Sequence, residues 1–191
     1  AIHLQQRGFD VTLVDRRAPG QETSMGNAGL IQREAVEPYA FPREPGFLLD
    51  VALGRGAQVH WHAQGLRQMG RALLRYLHHS HPQRHAQATQ AYSRLIAHAT
   101  AEHGPLIAAA GAQNLVSREG FRFVFRTAEA FDAAARRAED LLLRFGVRSQ
   151  AENTAQLALA EPALQKPLAG AVHWLDPVSY THLRAHETKA N

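Results

Sequence analysis

The stretch Arg7-Gly8-Phe9-Asp10-Val11-Thr12-Leu13-Val14-Asp15 decides the fold class. Glycine takes the left-handed conformation that ends a helix more easily than any other residue, so Gly8 closes a helical segment carrying apolar Ile2 and Leu4. The run from Val11 to Val14 is apolar and β-rich, and an acid bounds it. A strand buried on both faces of a parallel sheet has that composition. Helix, glycine, strand and acid make half of a βαβ unit, which predicts an α/β chain. The helix is already under way at Ala1, so the sequence reads as part of a longer protein.

Periodicity organises the rest. Residues 18–46 are rich in Pro and Gly and too irregular for a long helix. Leu66, Met69, Leu73 and Leu77 recur at helical spacing within residues 63–79, and Ala88, Tyr92, Leu95 and Ala99 within residues 84–103, which predicts two antiparallel helices joined around Pro82. In residues 120–126 the phenylalanines alternate, giving a strand with a Phe face and an Arg/Val face. Phe131, Ala135, Ala138, Leu142 and Phe145 predict a helix over 128–145 that closes at Gly146. A short helix near 153–160 and a strand near 170–175 complete the elements. From Ser179 onward no period is visible. That text resembles the translated read-through of a sequencing-library adapter, so residues 178–191 are expected to form a non-native tail without structural role.

The candidate chemistry lies near the N-terminus. In a dinucleotide-binding fold a Gly-rich turn ends the first strand, and an acid about 20 residues later, at the end of the second, binds the adenosine ribose. Asp15 stands at such a strand end, and a carboxylate can accept hydrogen bonds from both hydroxyls of a vicinal diol. In Glu22-Thr23-Ser24-Met25-Gly26-Asn27-Ala28-Gly29, small residues let the backbone approach a flat or anionic ligand, while Ser24 and Asn27 offer donors. Asp15 alone fits FAD or NAD.

Taken together, Arg7 to Asp15 followed by Glu22-Thr23-Ser24 and Asn27-Ala28-Gly29 resemble the FAD-dependent D-amino-acid dehydrogenases of the wider D-amino-acid oxidase and glycine oxidase family. Paired helices, the 120–127 strand, the helix to Phe145 and Glu161-Pro162-Ala163-Leu164 follow in the same order, so the resemblance covers residues 1–177. It implies an incomplete Rossmann-type FAD-binding domain over 1–58, without its first strand and Gly-rich turn, and a helical and β-sheet substrate or cap portion over 59–177. Asp15, with Arg16 beside it, would match the acid that holds the FAD ribose; Ser24, Asn27, Ala28 and Gly29 would match the loop along the pyrophosphate and flavin. The implied reaction oxidises the C–N bond of a small-molecule D-amino acid or amine to a 2-oxo acid plus ammonia, with a quinone or oxygen as electron acceptor. The implied setting is cytoplasmic, with peripheral contact at the inner membrane open. The catalytic residues and the substrate-carboxylate Arg would lie outside this chain.

Other classes fare less well. Hydrophobic residues make up 45% and charged residues 20%, an ordinary globular composition. There is no run of about 18 apolar residues to span a membrane. The absence of Cys removes disulfides and thiolate sites and fits a reducing compartment. The net charge of +4 comes from evenly spread Arg without basic blocks, so no nucleic-acid partner is expected. His78, His79, His81 and His85 cluster without a carboxylate and are interrupted by Pro82, and His60 and His62 flank Trp61; no metal site is expected from either group. Phe121, Phe123 and Phe125 could wall an apolar pocket, although core packing is the default for such a face. The remaining alternatives are an NAD-dependent Rossmann dehydrogenase and a non-catalytic helical interaction module.

Overall fold

The computed structural model describes residues 1–17, 29–55, 59–164 and 166–180. In chain order these form α1 (Ile2–Gln6), β1 (Leu30–Ile31), α2 (Pro45–Ala52), α3 (Ala63–His79), α4 (Pro82–Ile96), α5 (Ala99–Ala109), β2 (Val116–Ser117), β3 (Phe121–Phe125), α6 (Ala128–Phe145), β4 (Ser149–Asn153), α7 (Thr154–Ala160), β5 (Gly170–Trp174) and β6 (Val178–Tyr180). The chain is therefore a mixture of helix and small sheets, with strand orders β1-β6-β2 and β3-β5-β4. Every described pairing is antiparallel.

At the N-terminus the outcome is divided. Helix α1 forms, and Gly8 follows it at φ +83°. The strand expected over residues 11–15 does not form, and Leu13 and Val14 are 78% and 86% exposed. An apolar strand of this kind holds its shape only against neighbours on its edges and faces, and no described strand lies beside it.

Helix α6 is the organising element. Thr127 Oγ1 accepts a hydrogen bond from Ala130 N at its start, and Gly146 ends it at φ +65°, the boundaries that its spacing predicts. Its covered stripe runs through Ala138 and Leu141, whereas Leu142 stays largely exposed. This stripe meets Val172 and Trp174 of β5, together with Val147 and Val36, in the main core. A second, smaller core joins Ile31, Ile107 and Val178. Helix α7 begins with a reciprocal cap, Asn153 Oδ1 accepting from Gln156 N while Gln156 Oε1 accepts from Asn153 N.

Two further expectations are corrected, and one strand is added to those expected. The helix predicted over 84–103 breaks after Ile96 into α4 and α5, and the covered side of α4 carries Thr89 and Ser93 while Leu95 is 70% exposed. Small Thr89 and Ser93 allow close approach on that side, and Ile96 reaches the main core from it. Strand β4 was not anticipated, because Ser-Gln-Ala-Glu-Asn contains none of the β-branched or aromatic residues that mark strands. Finally, the expected absence of structure from residue 178 fails at its start. Val178–Tyr180 is the middle strand of its sheet, pairing Leu30 with Ser179 on one side and Val116 with Tyr180 on the other. Val178 and Ser179 are both buried. Residues 181–191 lie outside the described residues.

The chain crosses between the two sheets twice at one place, from β2 to β3 and from β5 to β6. Gly120 makes the first crossing at φ +70°, and a Cβ there would stand 1.8 Å from the Trp174 carbonyl oxygen. At the second crossing Asp176 accepts from Arg148 N at 2.8 Å and from Arg148 Nε at 2.7 Å.

Candidate functional site

Of the residues expected to hold a cofactor, Ser24, Asn27 and Ala28 lie outside the described residues. Asp15 is exposed, and its Oδ1 accepts a hydrogen bond from the Arg16 backbone N–H at 2.6 Å. Gly29 is buried at φ +63°, immediately before β1. An exposed carboxylate supplies the acceptors that a ribose diol needs. A left-handed glycine lets the main chain come close to a ligand in a way a side chain would obstruct. The described part of this segment therefore suits a dinucleotide in the chemistry of its groups.

A second constellation, not anticipated from the sequence, occupies the face of β3-β5-β4 that turns away from α6. Register places Arg122 opposite His173, and His173 opposite Gln150, with Glu152 one pleat further on. Arg122 grips Glu152 with two bonds, Nε to Oε2 at 2.7 Å and Nη2 to Oε1 at 3.1 Å, and reaches Glu161 Oε1 from Nη1 at 3.2 Å. Such fork geometry is available to Arg and not to Lys. Glu152 is buried, and the Arg122 hydrogen bonds hold its carboxyl below the ordinary carboxylate range against the opposing effect of burial. His173 Nε2 donates to the Glu119 carbonyl at 2.7 Å, which leaves Nδ1 facing Glu152 Oε1 at 3.5 Å. Glu161 was noticed only as part of a string. Nothing in the sequence signalled Glu152, because its strand was not legible.

Two clefts open on this face. One, of about 330 Å³, is bounded by Ser117, Glu119, Arg122, Glu161 and Ser179 and so lies between the two sheets. The other, about 740 Å³, runs past Val124, Arg126, Leu164 and Lys166. Both are of the size that small-molecule sites occupy. The Phe face takes the opposite side: Phe121 and Phe125 pack on the main core, and the Phe121 and Phe123 rings meet edge to face at 5.0 Å. Val124 lines both clefts, and Arg122 lines the smaller one together with Phe121.

The histidines serve local contacts. His85 Nε2 donates to the Pro38 carbonyl at 2.6 Å, and the His78 ring meets His79 edge to face. Arg84 beside it pushes the His78 ring below its ordinary pKa. Glu34 is the other unusual group. It is buried just after β1, its Oε1 accepting from Gln32 Nε2 at 2.7 Å, and burial raises its pKa.

The family model described as FAD dependent oxidoreductase matches residues 1–188, and so takes in much of the segment read as a tail. A D-amino acid dehydrogenase of Chromohalobacter salexigens is 28% identical over 180 residues, which is 92% of this chain and 43% of that protein. The chain thus spans less than half the length of that relative. No solved structure matches it. With the family model matching residues 1–188, the chain belongs to the family of FAD-dependent oxidoreductases.

Proposed function

We propose that this chain is the N-terminal portion of a longer flavoenzyme that oxidises the C–N bond of D-amino acids or related amines, giving a 2-oxo acid and ammonia. Support comes from the family match together with the relative's name and the chain's 43% coverage of it. The family's dependence on FAD favours this reading over an NAD-dependent dehydrogenase and over a non-catalytic module. Bound FAD would supply the two-electron hydride acceptor for oxidation of the substrate C–N bond, with water completing the conversion to 2-oxo acid and ammonia.

The chain's own residues bind and orient. The Asp15 carboxylate, next to Arg16, would accept hydrogen bonds from the ribose hydroxyls, while Ser24, Asn27, Ala28 and Gly29 would hold the pyrophosphate and flavin. Residues 1–58 would then belong to a Rossmann-type cofactor domain whose 11–15 strand forms once its neighbours are present, and 59–177 to the cap. On the cap side, Arg122 fixes Glu161 and Glu152 on the sheet face that carries the clefts, which keeps that wall rigid toward a small-molecule substrate.

The observation that carries this reading is the family match over residues 1–188, and its cofactor assignment is tested at the exposed carboxylate of Asp15. In the full-length protein, Asp15→Ala should weaken FAD binding by about 1.5–3 kcal/mol, roughly 10- to 150-fold in affinity, with turnover of the flavin-loaded fraction little changed. Flavin fluorescence titration of the apoprotein checks this, and an unchanged dissociation constant rejects the assignment.

A further inference from the structure

We infer that the smaller cleft, between the two sheets, receives the side chain of the substrate and selects a cationic one, an ammonium or guanidinium at the end of a methylene chain. This rests on the amine-oxidising reading above and adds the class of amine. The cleft, of about 330 Å³, has Ser117 and Ser179 of one sheet on one side and Arg122 and Val124 of β3 on the other. Ser179 pairs directly with Leu30, the residue after Gly29. Paired strands stand about 5 Å apart, so the cleft adjoins the end of the loop proposed to hold the flavin. Ser179 is only 4% exposed, and its hydroxyl has no hydrogen-bond partner among the described residues. Buried hydroxyls are normally hydrogen-bonded. An unpartnered one on the wall of a cleft marks a place where a ligand supplies the partner.

Charge selects the occupant. Glu119 and Glu161 line the cleft, Glu152 lies behind Arg122, and Arg122 is the one cation lining it among the described residues. Its guanidinium already gives two bonds to Glu152 and one to Glu161. One such group cannot neutralise three carboxylates. Glu161 Oε2 takes no bond from Arg122, and the Glu119 carboxylate makes no ion pair among the described residues. With the Ser179 hydroxyl, these oxygens form a set of acceptors carrying excess negative charge, to which a cation bonds more strongly than a neutral donor. An anionic side chain would meet like charge there. Val124 and Leu164 supply an apolar wall for methylenes. The neighbouring larger cleft shares those two residues but carries Arg126 and Lys166 and no acid. The acids are therefore confined to the cleft beside the flavin loop.

The test compares D-lysine with D-norleucine, which has the same methylene chain without the ammonium, and with D-glutamate, on the full-length protein loaded with FAD. D-Lysine should be reduced to product with a kcat/KM at least about tenfold above D-norleucine, and D-glutamate should be the poorest of the three. Glu119→Gln/Glu161→Gln should lower the ratio of D-lysine to D-norleucine about 10- to 100-fold, chiefly through the KM for D-lysine. Glu119→Lys, at an exposed position, should move the preference toward D-glutamate. Calorimetry with n-butylguanidinium, which has no amino-acid head group, reads the cleft without turnover. It should bind the parent protein and not Glu119→Gln/Glu161→Gln. Equal use of D-lysine and D-norleucine, with n-butylguanidinium unbound, would overturn the inference and leave the reaction standing. Glutamate-dependent binding of n-butylguanidinium in a protein whose flavin no D-amino acid reduces would support the cation site and overturn the reaction instead.

Discussion

Arg122 holds both of its carboxylates from one guanidinium, so removing it strands Glu152 in a buried position without its partner. Arg122→Met should therefore cost about 2–3 kcal/mol in urea unfolding, whereas Arg122→Met/Glu152→Met should cost less than the single change, because no charge is left buried alone. A double variant worse than the single would show that the pair is a net source of stability. Glu34 behaves in the opposite sense. Its folded pKa lies above its unfolded value, so the folded chain holds that proton to higher pH and loses stability as pH rises through the ordinary carboxylate range and on through the raised value. Glu34→Gln should be more stable than the parent at neutral pH, and the advantage should vanish below the ordinary carboxylate pKa. An advantage independent of pH would contradict this origin. At Gly120 the left-handed backbone and the Trp174 carbonyl oxygen leave no room for a Cβ. Gly120→Ala should cost more than about 2 kcal/mol.

Among the elements, what could be read in advance follows a simple division. Helix α6 was legible to the residue, since an amphipathic period and a terminal glycine speak for the same boundaries, and the structure adds a Thr127 cap at its start. Thr127→Ala should accordingly lose about 1 kcal/mol. Strand β3 announced itself by its alternating phenylalanines. Strand β4 did not, because its stability comes from pairing with β5 along its whole length and not from its own residues. The 11–15 segment shows the converse: its composition favours a strand, but composition alone supplies no partner. The same limit applied to the site. Asp15 and Gly29 could be singled out from local pattern, whereas the Arg122, Glu152, Glu161 and His173 group is assembled by register across three segments distant in sequence. Strand β6 carries a further test. Ending the chain after residue 178 removes the pairing partners of Leu30, Val116 and Ser117, and should lower stability by more than about 1 kcal/mol relative to ending it after residue 180. Equal urea midpoints for the two would place β6 outside the cooperative fold.

For the molecule as a whole, two sets of exposed apolar residues stand out. Leu13 and Val14 belong to a segment whose proposed partners are strands of a complete cofactor domain, and Leu66, Met69, Leu73 and Leu77 line one side of α3. The most direct test of the central claim is the visible absorption spectrum of the purified full-length protein, before and after a panel of D-amino acids is added without oxygen. The account predicts the two bands of an oxidised flavin, released as FAD on denaturation and bleached by at least one member of the panel. Protein that is colourless as purified and takes up no FAD on reconstitution would contradict it.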